Sequence, residues 1–132
     1  MAFFRPRVSR EAEVRYHADL EISKSFPEQL ERARQAEAVV RDLRAADADD
    51  VELRAAGLAF DKALTEALRT AEAGQRATFG VKAYDDRIAR RKAKARPKGA
   101  EWTREVDRIR TMREDNRLWG IPRLPRRVPS AG

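Results

Sequence analysis

Residues 26–74 read FPEQLERARQAEAVVRDLRAADADDVELRAAGLAFDKALTEALRTAEAG, and this stretch decides the fold. Ser25 stands before it as an N-cap. Pro27 falls in the first turn, where a missing N–H costs nothing, and Glu28 follows three residues after the cap to close a capping box. A helix is therefore predicted over about 26–46, with Leu30, Ala33, Glu37, Val40 and Leu43 or Arg44 on one seam. Asp49 with Glu52 repeats the cap-plus-Glu pattern and predicts a further helix over about 50–73, stopped by Gly74. Along it Leu53, Gly57, Phe60, Leu64 and Ala67 or Leu68 recur with near-heptad spacing. Two such helices joined by a short acidic turn predict an antiparallel αα-hairpin with close Ala/Gly packing.

Outward from the hairpin the text stays helical, with no β-branched run alternating at period two. A first helix is predicted over about 10–24, capped by Ser9, with Val14, Ala18 and Ile22 on one face and Leu20 beside them. After Gly74, residues 75–82 read as a short apolar hinge. A fourth helix over about 82–95 ends before Pro97, because the residue preceding a proline is pushed out of the α region. Lys98 and Gly99 read as a loop, and a fifth helix over about 100–118 carries Trp102, Val106, Ile109 and Met112 on one stripe before Gly120 ends it. Pro122, Pro125 and Pro129, interleaved with Arg123, Arg126 and Arg127, predict an extended polyproline-like tail. The predicted fold is all-α: an antiparallel helical hairpin with additional short helices and extended N- and C-terminal arms. Residues 1–8 form an aromatic and basic arm, 9–74 a helical region holding the acidic hairpin at 26–73, 75–120 a basic helical region, and 121–132 the tail.

The 132 residues suffice for one modest core. With no cysteine and a single histidine, His17, disulfide scaffolds, thiolate metal sites and any site needing two imidazoles are excluded. No apolar run reaches the roughly 20 residues of a membrane-spanning helix, and the opening MAFFRPRVSR has no signal-peptide core. The expected compartment is the cytoplasm, or a virion if this is a phage structural protein. Asp47, Asp49, Asp50 and Glu52 do not fit the EF-hand pattern, whose glycine position falls on Glu52 and whose bidentate Glu position falls on Leu58. No glycine loop for phosphates occurs, and the paired carboxylates Asp85–Asp86 and Glu114–Asp115 are adjacent rather than convergent. No catalytic residue, cofactor, metal or small-molecule substrate is indicated, and the protein is expected not to be an enzyme.

Charge carries the functional signal. The net formal charge of +7 hides a division: residues 26–74 carry seven basic and eleven acidic groups, whereas residues 75–132 carry seventeen basic and seven acidic. Such asymmetry points to an anionic partner or to self-association. The densest stretch, RIARRKAKARPK at 87–98, has seven cations (Arg87, Arg90, Arg91, Lys92, Lys94, Arg96 and Lys98) and no acid. On a helix, Arg87, Arg90, Arg91 and Lys94 form one stripe suited to a phosphate backbone. Arg123, Arg126 and Arg127 on the tail add to it, and Arg5 and Arg7 flanking Pro6 repeat the idea at the N-terminus. Pairs such as Asp86 with Arg90, Glu105 with Arg108 and Asp107 with Arg110, or contacts to Glu31, Glu37 and Asp42 of the hairpin, would consume part of this charge.

Trp102–Thr103–Arg104–Glu105 followed by Ile109 and Met112 resembles the opening helix of Myb-like DNA-binding domains. The resemblance spans one helix of three, and the prolines of the tail prevent the other two from following, so no function is carried over from it. Phe3 and Phe4 at one end, and Trp119, Ile121 and Leu124 at the other, lie outside the regular helices and suit anchors at a protein interface. The leading expectation is a non-enzymatic protein that binds nucleic acid mainly through phosphate contacts, with low sequence specificity. The alternative is a structural or adaptor subunit of a larger assembly, for example a phage particle. Its arms would bind neighbouring subunits or other copies of the chain.

Overall fold

The computed structural model describes residues 8–125. Expectations for Phe3, Phe4, Arg126 and Arg127 lie outside the described residues. Within them the chain is all-α, as its patterning predicts, with helices α1 Arg10–Ser23, α2 Phe26–Ala45, α3 Asp50–Phe79, α4 Arg87–Ala95 and α5 Pro97–Asp115. A 3-10 turn, Val81–Tyr84, joins α3 to α4, and a π-helical turn, Asn116–Gly120, follows α5. Among the described residues no helix is long and apolar enough to cross a membrane.

Ser9 caps α1 by accepting a hydrogen bond from the Ala12 amide at 3.1 Å. The predicted aliphatic face of α1 is not the buried one. Val14 is 61 % exposed, and the buried residues are Ala12 and Asp19. The helix is turned by its carboxylate, which has hydrogen-bond partners only on the inner side, rather than by a weak Val/Ala/Ile stripe. Ser25 likewise does not cap α2. Its backbone is already right-handed helical (φ −86°, ψ −1°), not extended as a cap requires, and its hydroxyl donates backward to the Ile22 carbonyl at 2.9 Å.

Gly74 does not stop α3; the helix runs on to Phe79 and ends at Gly80, whose φ of +93° only glycine adopts cheaply. At Gly74 the missing side chain serves packing instead. A Cβ there would lie 2.5–2.8 Å from atoms of the Trp102 ring. That ring also meets Phe26 of α2, centroid to centroid at 5.3 Å, so Trp102 joins α2, α3 and α5. Around it the core collects Ala33 and Val40 from α2, Ala56, Phe60, Leu64, Ala67, Leu68 and Ala71 from α3, and Val106 and Ile109 from α5.

The segment that positions the basic stretch departs from its expected boundaries. Residues 75–79 are helical, not a hinge, and 82–84 lie in the 3-10 turn. Asp86, extended at φ −127° and ψ 113°, caps α4 by accepting from the Ile88 and Ala89 amides at 2.9 and 3.2 Å. Arg96 is extended, as the following proline demands, but Lys98 and Gly99 belong to the first turn of α5 rather than to a loop. A Cβ at Gly99 would collide with the Ala93 carbonyl, so glycine permits the end of α4 to close on the start of α5.

Past α5 the chain folds back on α3. The Asn116 amide donates to the Gly57 carbonyl at 2.9 Å, Ile121 packs over Gly57, and Arg44 and Arg54 donate to the Gly120 and Pro122 carbonyls at 2.8 and 3.1 Å.

Gly74→Ala tests the Trp102 junction. Alanine gains up to about 1 kcal/mol in helix propensity, whereas forcing a methyl into a packed ring costs about 1–3 kcal/mol. The expected outcome is a net loss of up to about 2 kcal/mol in urea unfolding; raised stability would contradict this packing.

Candidate nucleic-acid interface

A nine-residue helix rich in like charges is too short to persist alone. Three features hold α4: the Asp86 cap, the buried methyl of Ala93, and the close approach at Gly99. With Ala93 turned inward, the 100° step per residue sends Arg87, Arg91 and Lys94 outward and places Arg90 at their flank, all four within an arc of about 100°. Lys92, Arg96 and Lys98 are exposed around this arc.

The ion pairs are distributed unevenly. Glu28–Arg32, Glu31–Arg34 and Glu37–Arg41 pair within α2, Glu66–Arg69 within α3, and Glu105–Arg108 within α5, while Arg110 reaches Glu72 and Arg117 reaches Asp61. None of the seven cations at 87–98 pairs with a carboxylate among the described residues. Asp86, expected opposite Arg90, spends its carboxylate on the helix cap instead, and the Arg90 Nε donates to the Ala83 carbonyl at 3.3 Å. Of the acids expected to reach it, Glu31 and Glu37 pair within α2, and Asp42 forms no ion pair among the described residues, leaving the basic stretch unneutralised.

The described start of the tail, 121–125, lies away from this surface. Pro122, next to Arg123, is tied to Arg54 near the start of α3, whereas the 3-10 turn leading to α4 is tied through Asp19 to Arg76 near its end. Twenty-two residues of helix separate those anchors, about 33 Å. Of the apolar residues proposed as anchors, Trp119 is 82 % exposed and Leu124 41 %, but Ile121 is half-buried against Gly57 and much of its surface is covered within the chain.

One cluster has no counterpart in the sequence patterns. Asp19 on α1 accepts two hydrogen bonds from Arg76 on α3, at 2.9 and 3.0 Å, and a third from the Tyr84 hydroxyl at 2.6 Å. Burial would raise the Asp19 carboxyl, but the bonds from Arg76 and Tyr84 and the Arg76 charge outweigh it and hold the group below the usual carboxylate range. Burial, then the bond to Asp19, pushes the Tyr84 phenol well above the usual tyrosine range. Arg15 lies 5.6 Å from the centre of the Tyr84 ring, and Tyr16 meets the same ring edge-on. Partners 57 and 65 residues away leave no local spacing to read. Only the lone acid on the inner face of α1 hints at them. Among the described residues no group of His, Asp or Glu is disposed to hold a metal ion, and His17 is exposed beside Tyr16.

No family model, curated protein or solved structure matches the chain.

The cluster makes a signed pH prediction. A carboxyl whose folded pKa is depressed contributes stability above its unfolded pKa near 3.9, lost as pH falls through the folded value. Tyr84, raised, contributes stability below its unfolded pKa near 10, lost as pH rises through the folded value. Asp19→Asn should cost about 1–3 kcal/mol in urea unfolding at pH 7, and the gap from the parent protein should narrow below about pH 4. A gap independent of pH would contradict the assignment.

Proposed function

We propose that the protein is a non-enzymatic nucleic-acid-binding protein whose α4 surface contacts phosphates with little sequence specificity. The observation that supports this is the concentration of seven exposed cations at 87–98, none paired with a carboxylate among the described residues, on a protein whose other helices pair many of theirs. Cations left unneutralised repel one another, and condensed counterions released from a phosphate backbone supply the compensating free energy. Residues 26–73 act as the scaffold, an antiparallel αα-hairpin against which α5 and α4 are set. Arg123, far from α4 along α3, would touch a long nucleic acid at a second place.

A second reading is favoured by Trp119 and Leu118, 82 % and 67 % exposed and adjacent on the π-helical turn, with Leu124 beyond them. Apolar side chains of this size suit an interface with neighbouring subunits of an assembly, another copy of this chain among them.

Binding to an arbitrary duplex across a salt series tests the first reading. The logarithm of affinity should fall steeply with the logarithm of salt, and removing Arg87, Arg91 and Lys94 as glutamines should flatten that slope by about 0.9 per charge removed. A flat salt response, or a triple variant with unchanged slope, would overturn it. Light scattering separates the second reading: association abolished by Trp119→Ala supports an interface between copies of the chain.

A further inference from the structure

Beside the basic helix lies a recess of about 350 Å³ lined by Arg15 of α1, Gln75, Arg76 and Phe79 of α3, Ala83 and Tyr84 of the 3-10 turn, and Arg90 of α4. Three arginines from three helices line it. We propose that this recess binds a phosphate monoester, with Arg15, Arg76 and Arg90 around the dianionic phosphate and Phe79 against its organic part.

The nearby carboxylates are all occupied. Asp19 is held by Arg76 and Tyr84, which fixes the Arg76 guanidinium through Nε and Nη2 and leaves its Nη1 unengaged. Asp85, also near Arg15, accepts from the Ser9 amide at 3.1 Å. Glu72, near Arg76, pairs with Arg110 at 3.2 Å. Arg90 uses Nε on the Ala83 carbonyl, so both its terminal nitrogens stay available, and Arg15 is placed over the Tyr84 ring with no carboxylate within ion-pair distance among the described residues. Three cations outnumber the two carboxylates beside them, Asp19 and Asp85, so the recess keeps a positive excess, and three arginines can share the oxygens of a terminal phosphate, whose charge is near −2 at neutral pH. Planar guanidinium forks supply paired N–H donors for such oxygens. The recess shares Arg90 with the α4 surface and draws on the same reading of charge, but it takes a small ligand that the outward stripe of Arg87, Arg91 and Lys94 has no cavity to hold. A free mononucleotide and the 5′-phosphate end of a strand present the same group.

Calorimetric titration with adenosine 5′-monophosphate, with adenosine as the comparison, tests this. A parallel titration uses one single-stranded oligonucleotide carrying either a 5′-phosphate or a 5′-hydroxyl. The phosphate should strengthen binding roughly tenfold or more in at least one arm, and Arg15→Gln, at an exposed position that makes no hydrogen bond to Asp19, should remove that advantage. Arg91→Gln with Lys94→Gln should leave the advantage intact while weakening both oligonucleotides. An advantage confined to the oligonucleotide assigns the recess to strand ends; one confined to the nucleotide assigns it to a free ligand. An Arg15-dependent phosphate advantage with a flat duplex salt response would keep the recess and discard the α4 reading. No phosphate advantage in either arm, or an advantage that survives Arg15→Gln, would overturn the proposal.

Discussion

One ring laid across one bare stretch of backbone sets the arrangement of this molecule. Trp102 occupies the space that any side chain at Gly74 would fill, and it meets Phe26 on its other side. Two consequences follow. α3 continues as a helix through Gly74, with the far edge of the Trp102 ring where a side chain would stand. α5 then runs back along α3 from Gly74 toward Asp61, bringing Val106 and Ile109 into the core. The chain between Phe79 and Trp102 is then confined to a short excursion, and α4 is what that excursion contains.

Much of the fold follows from local chemistry. The caps at Ser9 and Asp49, the break before Pro97, and the stripe Trp102, Val106, Ile109 and Met112 follow from rules that act over a few residues, and the structure shows each of them. The departures arise where a distant partner outweighs a local preference. Gly74 looks like a helix stop until a ring from α5 is placed on it; Val14 looks buried until Asp19 claims the inner face of α1. Ser25 shows a subtler case, since a sequence match to a capping box cannot reveal that the preceding helix ends so near that the serine backbone is already helical.

The candidate interface divides in the same way. The density of cations at 87–98 is plain in the sequence, because a run without acids needs no geometry to be seen. Whether those cations would be neutralised across space was not legible, since Glu31, Glu37 and Asp86 could each have served. The structure places each of the three elsewhere: two in pairs within α2, one on a helix cap. Nor could spacing reveal that Arg15, Arg76 and Arg90, from three separate segments, line one recess.

The mechanical state of α4 bears on what its charge is for. Cations three and four residues apart on one helix repel, at about 0.2–0.5 kcal/mol per pair, and nine residues give little intrinsic helicity to oppose that. The helix is held at its start by Asp86, along its inner face by Ala93, and at its end by the backbone contact that Gly99 permits. All three supports lie on the inward side or at the termini, so they leave the outer arc of Arg87, Arg91 and Lys94 free. An anion meeting that arc finds its backbone already ordered. The entropy of fixing the helix has been offset during folding, and only the arginine and lysine side chains remain to be restricted on contact. Rigid placement matters when the complementary charges are themselves regularly spaced, as they are along a phosphate backbone.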